Sequence, residues 1–295
     1  MPTDTLGFIG LGTMGLPMAT NLLAAGYRVV GHDLDRDRVA TLVERGGEQT
    51  ESPAVVAERS DIVLLCLADS PDVEHVVLDG PAPLVDGLSP GMTVIDHSTI
   101  SPIVARTVAD RLAAMDVSML DAPLSGGEEG AIDGTLSIMV GGKEETLTTH
   151  RDLLAITGET VTYCGPNGAG QTTKACNQMI VAAQLTAVAE ALVFAEMAGA
   201  NREAVVEAVR GGAAACWVLE HRANVMLEGT FEPGFFAAYQ RKDLRIATDA
   251  GEAIGAPLPV TSVTRELYER MVETGLGCDD NAGVIQVIEA MAETD

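Results

Sequence analysis

Lysine is nearly absent from this chain. Three of the 295 residues are lysines, at positions 143, 174 and 242, and arginine outnumbers lysine 15 to 3. Aromatic residues make up 3% of the chain, so the core must be built mainly from Ala, Val, Leu, Ile and Met. Because the chain uses arginine where any cation would serve, each lysine is a candidate functional residue.

Cysteine is also sparse, and its spacing excludes two kinds of site. The five cysteines lie far apart, at positions 66, 164, 176, 216 and 278, without a Cys-x-x-Cys pair or a cluster of cysteine and histidine. This pattern excludes the common zinc motifs and a disulfide framework. We expect reduced thiols that pack as small apolar side chains, and no metal site.

Positive charge is scarce throughout. The chain has 43 acidic and 18 basic residues, which give a formal net charge of −25. Such a surface repels phosphates, so nucleic-acid binding is excluded. Hydrophobic residues make up 47% of the chain, which is too high a share for a disordered protein. We hypothesise a halophilic protein from a salt-rich cytoplasm, where ions screen an acidic surface.

Signal-peptide and membrane-span patterns are absent from the sequence. The first ten residues, MPTDTLGFIG, have no basic region of the kind that begins a secretory signal. The longest apolar stretch, 175–200, is interrupted by polar residues, namely Asn177, Gln178, Gln184, Glu190 and Glu196. Membrane spans rarely contain so many polar side chains. We therefore expect a soluble, cytoplasmic protein without a membrane partner.

The order of apolar segments predicts an α/β domain followed by a helical one. Short runs typical of strands alternate with segments of helix length, at 6–10, 28–33, 61–67, 92–98, 117–123, 136–142 and 160–165. This alternation predicts a doubly wound, mostly parallel sheet with helices on both faces. From about residue 170 the pattern becomes Ala-rich and helical. We place the domains at residues 1–165 and 166–295, with a helix over about 170–198 between them.

A dinucleotide-binding motif follows the first predicted strand. Residues 10–15 read GLGTMG, which places Gly10, Gly12 and Gly15 in the G-x-G-x-x-G pattern between a strand and a helix. In this context the glycines permit a tight turn, a close approach to a pyrophosphate and close packing of helix on strand. The intervening Leu11, Thr13 and Met14 would present backbone N–H groups to the phosphates.

Asp33 ends the second predicted strand and bears on the choice of cofactor. A carboxylate at this position accepts hydrogen bonds from the adenosine ribose hydroxyls and repels a 2′-phosphate, so we favour NAD over NADP. Arg36 is the opposing observation, since an arginine there can bind a 2′-phosphate. Asp33 as an ordinary helix cap is the alternative interpretation.

Two more loops follow predicted strands, Leu67-Ala68-Asp69 and His97-Ser98-Thr99. Ligands of open α/β sheets bind beyond the carboxyl ends of the strands, so both loops are candidates for cofactor contacts. The hydroxyls of Ser98 and Thr99 either bind the nicotinamide ribose or cap the helix that begins near Pro102. We interpret His97 as structural.

A candidate substrate site follows the strand near residue 120. Ser125, Gly126 and Gly127 offer one hydroxyl and exposed backbone N–H groups, an arrangement that suits a carboxylate. On a chain of charge −25, an anionic substrate needs such local donors. A simple glycine turn is the alternative.

Lys174 lies at the start of the long predicted helix. Lys174, Asn177 and Gln178 are spaced to share one helical face, and burying such polar groups without partners would be costly. A desolvated lysine can exchange protons near neutral pH, as a dehydrogenase requires of its general acid or base. The alternative is a lysine that extends its ammonium to solvent. By the same scarcity Lys242 is expected in or beside the site, whereas Lys143 is expected on the surface.

Taken together, these motifs resemble the β-hydroxyacid dehydrogenase family, which includes 3-hydroxyisobutyrate dehydrogenase and tartronate semialdehyde reductase. The similarity extends nearly from end to end. It rests on four segments in the family's order, FIGLGTMGLPMATNLLAAG, DAPLSGGEEGAIDGTLSIMVGG, GAGQTTKACNQ and RKDL. The resemblance implies a Rossmann domain and a helical domain, in homodimers or homotetramers that pack their helical domains together.

The resemblance also implies roles for individual residues. Lys174 is then the proton donor and acceptor. Ser125, Gly126 and Gly127 hold the substrate carboxylate, while Thr99 and Lys242 approach the nicotinamide ribose.

Two details of the sequence bear on the substrate. Many family members have paired asparagines where this chain has Asn177 and Gln178, and an Asn-Gln pair resembles the tartronate semialdehyde reductase branch. Cys216 and Trp217 instead resemble the 3-hydroxyisobutyrate branch, in which an aromatic residue narrows the pocket. Trp217 is therefore a pocket wall or a core residue.

We accordingly predict an NAD(H)-dependent dehydrogenase of 3-hydroxyacids, or semialdehyde reductase, most like 2-hydroxy-3-oxopropionate reductase. Its substrate would be a small carboxylated hydroxyacid or semialdehyde. 3-Hydroxyisobutyrate dehydrogenase is the alternative. An imine reductase is disfavoured because Lys174 is present, and a non-catalytic NAD-binding scaffold is disfavoured because Ser125 and Lys242 are present too.

Overall fold

The computed structural model describes residues 2–293 of this chain. It forms two compact units, of which the first ends at Lys174 and the second begins at Ala175. The division lies within one uninterrupted helix, Ala169–Met197, which the sequence predicted over about 170–198.

The first unit contains the strands of the structure, which we number β1–β9 in chain order. Their bounds are β1 Thr5–Ile9, β2 Arg28–His32, β3 Glu48–Gln49, β4 Ile62–Leu65, β5 Thr93–Asp96, β6 Ser118–Asp121, β7 Leu124–Ser125, β8 Ser137–Gly141 and β9 Thr160–Gly165. The seven strands expected from sequence are present. β3 and β7 were not expected, because strands of two residues are too short to show a periodic pattern.

Helices connect these strands. Their bounds are α1 Gly15–Ala24, α2 Arg36–Glu44, α3 Pro53–Glu58, α4 Ser70–Glu74, α5 Pro102–Ala113, α6 Gly127–Asp133 and α7 Glu144–Leu154. A π-helical turn, His75–Asp79, extends α4, and a 3-10 turn covers Leu84–Asp86.

The strands form one mostly parallel sheet, in the spatial order β3-β2-β1-β4-β5-β6-β8-β7, with β9 also paired to β8. β8 is antiparallel to β6 and β7, and the other pairs are parallel. The strand order reverses between β1 and β4, and this reversal opens a crevice beyond the strand ends where dinucleotides bind. The predicted fold class is therefore confirmed.

Alternate side chains of the central strands enter two separate core layers. In β4, Leu64 packs in one layer, whereas Val63 and Leu65 pack in the other. Every residue of β4 and β5 is buried, as expected of a sheet that helices cover on both faces.

The second unit is helical. After α8, Ala169–Met197, it contains α9 Arg202–Arg210, α10 Trp217–His221, α11 Ala223–Glu228, α12 Ala237–Ile254, α13 Pro259–Glu273, a 3-10 turn Asn281–Gly283 and α14 Val284–Ala292. Its core includes Leu185, Leu192, Leu244 and Tyr268, each at most 1% exposed.

α8 is the one described helix long and apolar enough to cross a membrane by length and composition. Half of its most apolar window is buried inside the protein, and the core helix of a soluble protein passes the same test. The helix is thus weak evidence for a span.

Candidate active site

The glycine-rich loop has the backbone geometry that its sequence predicts. Gly10 has a φ of +90°, and a Cβ there would overlap the carbonyl oxygen of Cys66. A Cβ on Gly15 would overlap the carbonyl oxygen of Gly10, so α1 starts in direct contact with the end of β1. No side chain caps the N-terminus of α1. Its first N–H groups therefore lie where a pyrophosphate binds in this fold.

Asp33 is bound to this loop by its carboxylate. Oδ2 accepts a hydrogen bond from the Leu11 N–H at 2.6 Å, and Oδ1 accepts one from the Asp35 N–H at 2.7 Å. The cap of α2 is Asp35, whose side chain accepts from the Asp37 N–H, so the interpretation of Asp33 as a helix cap is wrong. A carboxylate has about four lone-pair positions, which leaves acceptor capacity for ribose hydroxyls.

Arg38, which was not expected at the site from the sequence, lies close to the glycine-rich loop. Arg36 was the expected arginine, whereas Nη1 of Arg38 lies 3.1 Å from the position of a Cβ on Gly12. The Nε of Arg38 is also 3.2 Å from Oδ2 of Asp35. An arginine three residues beyond a helix cap is on the same face as that cap, and this spacing was the available signal.

The loops after β4 and β5 are joined by Ser98. Its hydroxyl accepts a hydrogen bond from the Leu67 N–H at 2.8 Å, and the residue is 1% exposed. The helix at Pro102 is capped by Ser101, whose hydroxyl accepts from the Ile103 N–H. The alternative that Ser98 or Thr99 caps this helix is therefore wrong. Leu67, Ala68 and Thr99 are at least partly accessible in these loops.

His97 has the structural character that its sequence position predicted. It is 2% exposed, and its Nδ1 lies 2.8 Å from the carbonyl oxygen of Ala122, to which it must donate. Burial lowers the pKa of His97 to about 4, so the ring is neutral at pH 7.

The start of α8 is fixed to the sheet by a buried carboxylate. Asp121, at the end of β6, accepts hydrogen bonds from the Gly168 N–H at 2.7 Å and the Gln171 N–H at 3.0 Å. A Cβ on Gly170 would lie 2.5 Å from the Asp121 carbonyl oxygen, so the helix approaches the strand through glycine. Burial raises the pKa of Asp121, and these backbone donors partly offset that rise.

Gln171 connects the same helix start to the loop after β5. Its Nε2 donates to the carbonyl oxygen of Ser98 at 2.7 Å, and its Oε1 accepts from the Ile100 N–H at 3.0 Å. The side chain is 1% exposed. It therefore binds the backbone on both sides of Thr99.

Lys174 follows Gln171 by three residues, about one helical turn. It is 7% exposed, so the alternative of a lysine extended into solvent is wrong. Lys143, by contrast, is exposed at the start of α7, as predicted. The two lysines therefore differ in burial, and the catalytic role of Lys174 stays a prediction.

The proposed substrate loop lies beyond β6 in the same unit. Ser125 pairs with Ser137 of β8, and the following Gly126 and Gly127 have φ values of +136° and +66°. Both glycines are exposed, and a Cβ on Gly127 would meet nothing within 4 Å. The turn is thus open to solvent and backed by a strand.

In the second unit, the half-buried Asn177 and the buried Gln178 belong to a chain of hydrogen-bonded polar side chains. Nδ2 of Asn177 donates to Oε1 of Gln178 at 2.8 Å, and Nε2 of Gln178 donates to Oδ2 of Asp243 at 2.6 Å. The Nζ of Lys242 is 3.1 Å from Oδ1 of the same carboxylate. Asp243 is 2% exposed, so Lys242 pairs with a buried carboxylate.

The chain of polar groups continues through α12 to the turn before α14. Gln240 donates to the carbonyl oxygen of Gln178, and Nδ2 of Asn281 donates to Oε1 of Gln240 at 3.0 Å. The hydroxyl of Tyr268 donates to the Asn281 carbonyl oxygen at 2.9 Å. Burial raises the pKa of Tyr268 well above its ordinary value, so this hydroxyl remains a donor.

Trp217 is 52% exposed, so it is not a core residue. Its ring stacks on His221 at 4.6 Å between centroids, and the Arg222 guanidinium lies 5.1 Å from the ring centroid. A role as pocket wall stays a prediction. Among residues 2–293, no group of three or more His, Cys, Asp or Glu side chains is placed to hold a metal ion.

Comparison with known protein families identifies both parts of the chain. A model described as the NAD binding domain of 6-phosphogluconate dehydrogenase matches residues 5–165. A model described as the NAD-binding of NADP-dependent 3-hydroxyisobutyrate dehydrogenase matches residues 168–288. This chain belongs to the β-hydroxyacid dehydrogenase family. The predicted resemblance is confirmed, and the protein is an oxidoreductase that acts on CH–OH groups with a nicotinamide cofactor.

Several named β-hydroxyacid dehydrogenases are similar to this chain over nearly the whole length of both proteins. The 2-hydroxy-3-oxopropionate reductase of Escherichia coli is 41% identical, with 97% of this chain and 98% of the relative aligned. The NAD-dependent L-serine dehydrogenase of Pseudomonas aeruginosa is 35% identical, at 92% and 93% coverage. The structure of Mycobacterium tuberculosis 3-hydroxyisobutyrate dehydrogenase with L-serine is 33% identical, has a TM-score of 0.91 and covers 97% and 99%. These names share a small hydroxyacid or its oxidised form.

Proposed function

We propose that this dehydrogenase interconverts a small carboxylated semialdehyde and the corresponding hydroxyacid with NAD(H), with 2-hydroxy-3-oxopropionate as its favoured substrate. The observation that carries the proposal is the burial of Lys174 in the unit that contains the glycine-rich loop. Its helix is fixed to the ends of β5 and β6, the edge of the sheet where dinucleotides bind.

The protein's part in the reaction is binding, orientation and proton transfer. When bound, the nicotinamide supplies the hydride for the carbonyl carbon, or accepts it from the carbon that bears the hydroxyl. The Lys174 ammonium donates the proton that the carbonyl oxygen needs on reduction, and the amine removes it on oxidation. Ser125 and the N–H groups of Gly126 and Gly127 hold the substrate carboxylate.

Two observations support this substrate preference. The Escherichia coli relative at 41% identity carries the name 2-hydroxy-3-oxopropionate reductase, and this chain has the Asn177-Gln178 pair that resembles that branch. 3-Hydroxyisobutyrate is the second candidate, and the exposed Trp217 favours it as a wall against a methyl-bearing substrate.

We propose NAD rather than NADP as the cofactor. The Leu11 N–H donates a hydrogen bond to the Asp33 carboxylate and holds it against the glycine-rich loop. In this position the carboxylate accepts hydrogen bonds from the ribose hydroxyls and repels a 2′-phosphate. The next residue, Leu34, is 95% exposed and provides no cation for such a phosphate. Arg38 is already ion-paired with Asp35, which reduces its capacity to hold a phosphate.

We also propose that a second copy of the chain covers one face of α8. Large apolar side chains are exposed along this helix, namely Ile180 at 59%, Phe194 at 73% and Met197 at 69%. Phe194 and Met197 are three residues apart and so lie on one face of the helix, and monomeric proteins rarely leave a large contiguous apolar patch uncovered. Light scattering of the wild type and of Phe194→Glu tests this proposal, and a monomeric wild type would contradict it.

The experiment that tests the function is NADH consumption with a panel of semialdehydes. The panel contains 2-hydroxy-3-oxopropionate, methylmalonate semialdehyde, one uncharged aldehyde and one cyclic imine, each with NADH and NADPH in high salt. We expect the largest kcat/KM with 2-hydroxy-3-oxopropionate and NADH, and little turnover of the uncharged aldehyde. A preference for methylmalonate semialdehyde would favour the 3-hydroxyisobutyrate alternative. Absence of turnover with every compound would favour a non-catalytic NAD-binding scaffold.

A further inference from the structure

Gln171 makes an unusual pair of hydrogen bonds within the first unit. Its amide group donates to the Ser98 carbonyl oxygen at 2.7 Å and accepts from the Ile100 N–H at 3.0 Å. These two backbone groups flank Thr99, the residue expected at the nicotinamide ribose. The amide thus binds the loop as a neighbouring strand would, through one donor and one acceptor.

The backbone of the same residue is fixed independently. The Gln171 N–H donates to Oδ2 of Asp121 at 3.0 Å, and Asp121 also accepts from Gly168 at the start of α8. The end of β6 therefore fixes the position of this helical turn, and the side chain fixes its distance from the loop after β5. Lys174 lies in the next turn of the same rigid helix.

We propose that Gln171 is a positioning residue that holds the Lys174 amine in register with the Thr99 loop. The inference rests on the proposed function of Lys174 in proton transfer. A proton donor on a helix and a cofactor-binding loop must keep a fixed separation, because a displacement of about 1 Å can cost about 100-fold in rate. The Gln171 amide connects these two elements directly.

An amide supplies both hydrogen bonds at this place, whereas an ionised carboxylate does not. A carboxylate would accept from Ile100 but repel the Ser98 carbonyl oxygen, and an apolar side chain of equal length would leave both backbone groups unpaired. A glutamine that merely filled space would tolerate methionine, since the two side chains have similar length and volume.

The first test is the Gln171→Met variant, with Gln184→Met as a matched control on the same helix. We expect Gln171→Met to lower kcat about 100-fold, while the Kd for NADH, measured by fluorescence, stays within about twofold of the wild type. Gln184→Met should leave both quantities unchanged. Equal kcat values for Gln171→Met and the wild type would overturn the proposal.

The second test uses Gln171→Glu and the pH dependence of kcat relative to the wild type. Burial raises the pKa of the introduced carboxyl group. Once protonated, this group donates to Ser98 and accepts from Ile100, so the relative kcat should recover as the pH falls. A relative kcat that does not change with pH would indicate a merely structural role.

A third variant separates this inference from the proposed function. If Gln171 acts through Lys174, the double variant Lys174→Met/Gln171→Met should turn over no more slowly than Lys174→Met alone. A further tenfold loss in the double variant would overturn the positioning role. Full activity of Lys174→Met would instead remove the proposed function on which the inference rests.

Discussion

The two units of this dehydrogenase hold their buried polar side chains in different ways. In the first unit, His97, Ser98, Asp121 and Gln171 all bind backbone groups at strand ends and at one helix start. In the second unit, several polar side chains also bind one another, from Asn177 through Gln178 to Asp243, and from Asn281 to Gln240, besides the bonds that Gln240 and Tyr268 make to backbone carbonyl oxygens.

This difference has a physical consequence. A backbone group keeps its local conformation when one side chain is replaced, because its own strand or helix still holds it, so only the spacing between the two bonded elements changes. In a network of side chains each member orients the next, so the loss of one member leaves several groups unsatisfied. The first unit is therefore expected to respond locally to substitution, and the second unit to respond as a whole.

The largest effect on stability is expected from Asp243→Ala. This change leaves the Lys242 ammonium and the Gln178 amide without their carboxylate, and loss of one partner of a buried ion pair costs about 3 to 5 kcal/mol. The matched control on α12 is Asp249→Ala. Asp249 is 57% exposed and pairs with Arg245 at 3.6 Å, so its loss should cost less than about 1 kcal/mol. Denaturant unfolding in high salt measures both, and equal losses would remove the distinction between the units.

A slightly smaller loss of stability is expected when the pH falls, because His97 is buried in its neutral form. Its pKa is lowered from 6.5 to about 4 by burial, so the unfolded chain takes up the proton first. His97 therefore contributes stability above pH 6.5 that is lost as the pH falls toward 4, by about 3 kcal/mol.

The raised pKa of Asp121 acts in the opposite direction, so the comparison of wild type with His97→Asn isolates the histidine. The wild type should lose more stability between pH 6.5 and 4 than His97→Asn does. The exposed His75 serves as control, and His75→Asn should follow the wild type. Parallel curves for wild type and His97→Asn would contradict the neutral buried ring.

Gly15→Ala is expected to lower the free energy of unfolding by about 1 to 3 kcal/mol, because the alanine Cβ would overlap the Gly10 carbonyl oxygen. Movement of α1 away from β1 should also weaken NADH binding. Gly211 in the second unit has open space around its Cβ position and a φ of −91°, so Gly211→Ala should change the free energy of unfolding by less than about 0.5 kcal/mol. Thermal unfolding with and without NADH compares the two. An unchanged Tm and NADH affinity in Gly15→Ala would contradict the close contact.

The smallest effect is expected from Asp33→Ser. On the proposed role of Asp33, loss of the carboxylate removes charge-assisted hydrogen bonds to the ribose worth about 1.4 kcal/mol, so the KM for NADH should rise about tenfold. The KM for NADPH should rise less or fall, because repulsion of a 2′-phosphate is relieved. Asp37→Ser, on the exposed first turn of α2, should change neither constant. An unchanged KM for NADH in Asp33→Ser would place the ribose elsewhere.

The features predicted correctly from sequence are those that local spacing determines. The strands, the glycine-rich loop and the long helix depend on residues within a few positions of one another, and Lys174 was indicated by the scarcity of lysine and by its place at the start of an apolar helix. The resemblance to the family rested in addition on the order of the four segments along the chain.

The features missed depend on side chains that meet over long sequence separations. Gln178 and Asp243 lie on different helices, and nothing near either residue indicates the other as partner. Gln171 is one of several polar residues in the Lys174 segment, and its two bonds to the loop after β5 depend on how α8 starts against the sheet. The position of Arg38 over Gly12 depends on a side-chain conformation.

Single-turnover reduction of 2-hydroxy-3-oxopropionate by Lys174→Met with NADH tests directly whether Lys174 moves the proton. We expect the rate to fall at least about 1000-fold, within the range that general acid catalysis contributes, while the Kd for NADH stays within about twofold. The exposed Lys143→Met is the matched control and should react at the wild-type rate. A Lys174→Met rate within a few-fold of the wild type would show that Lys174 does not move the proton.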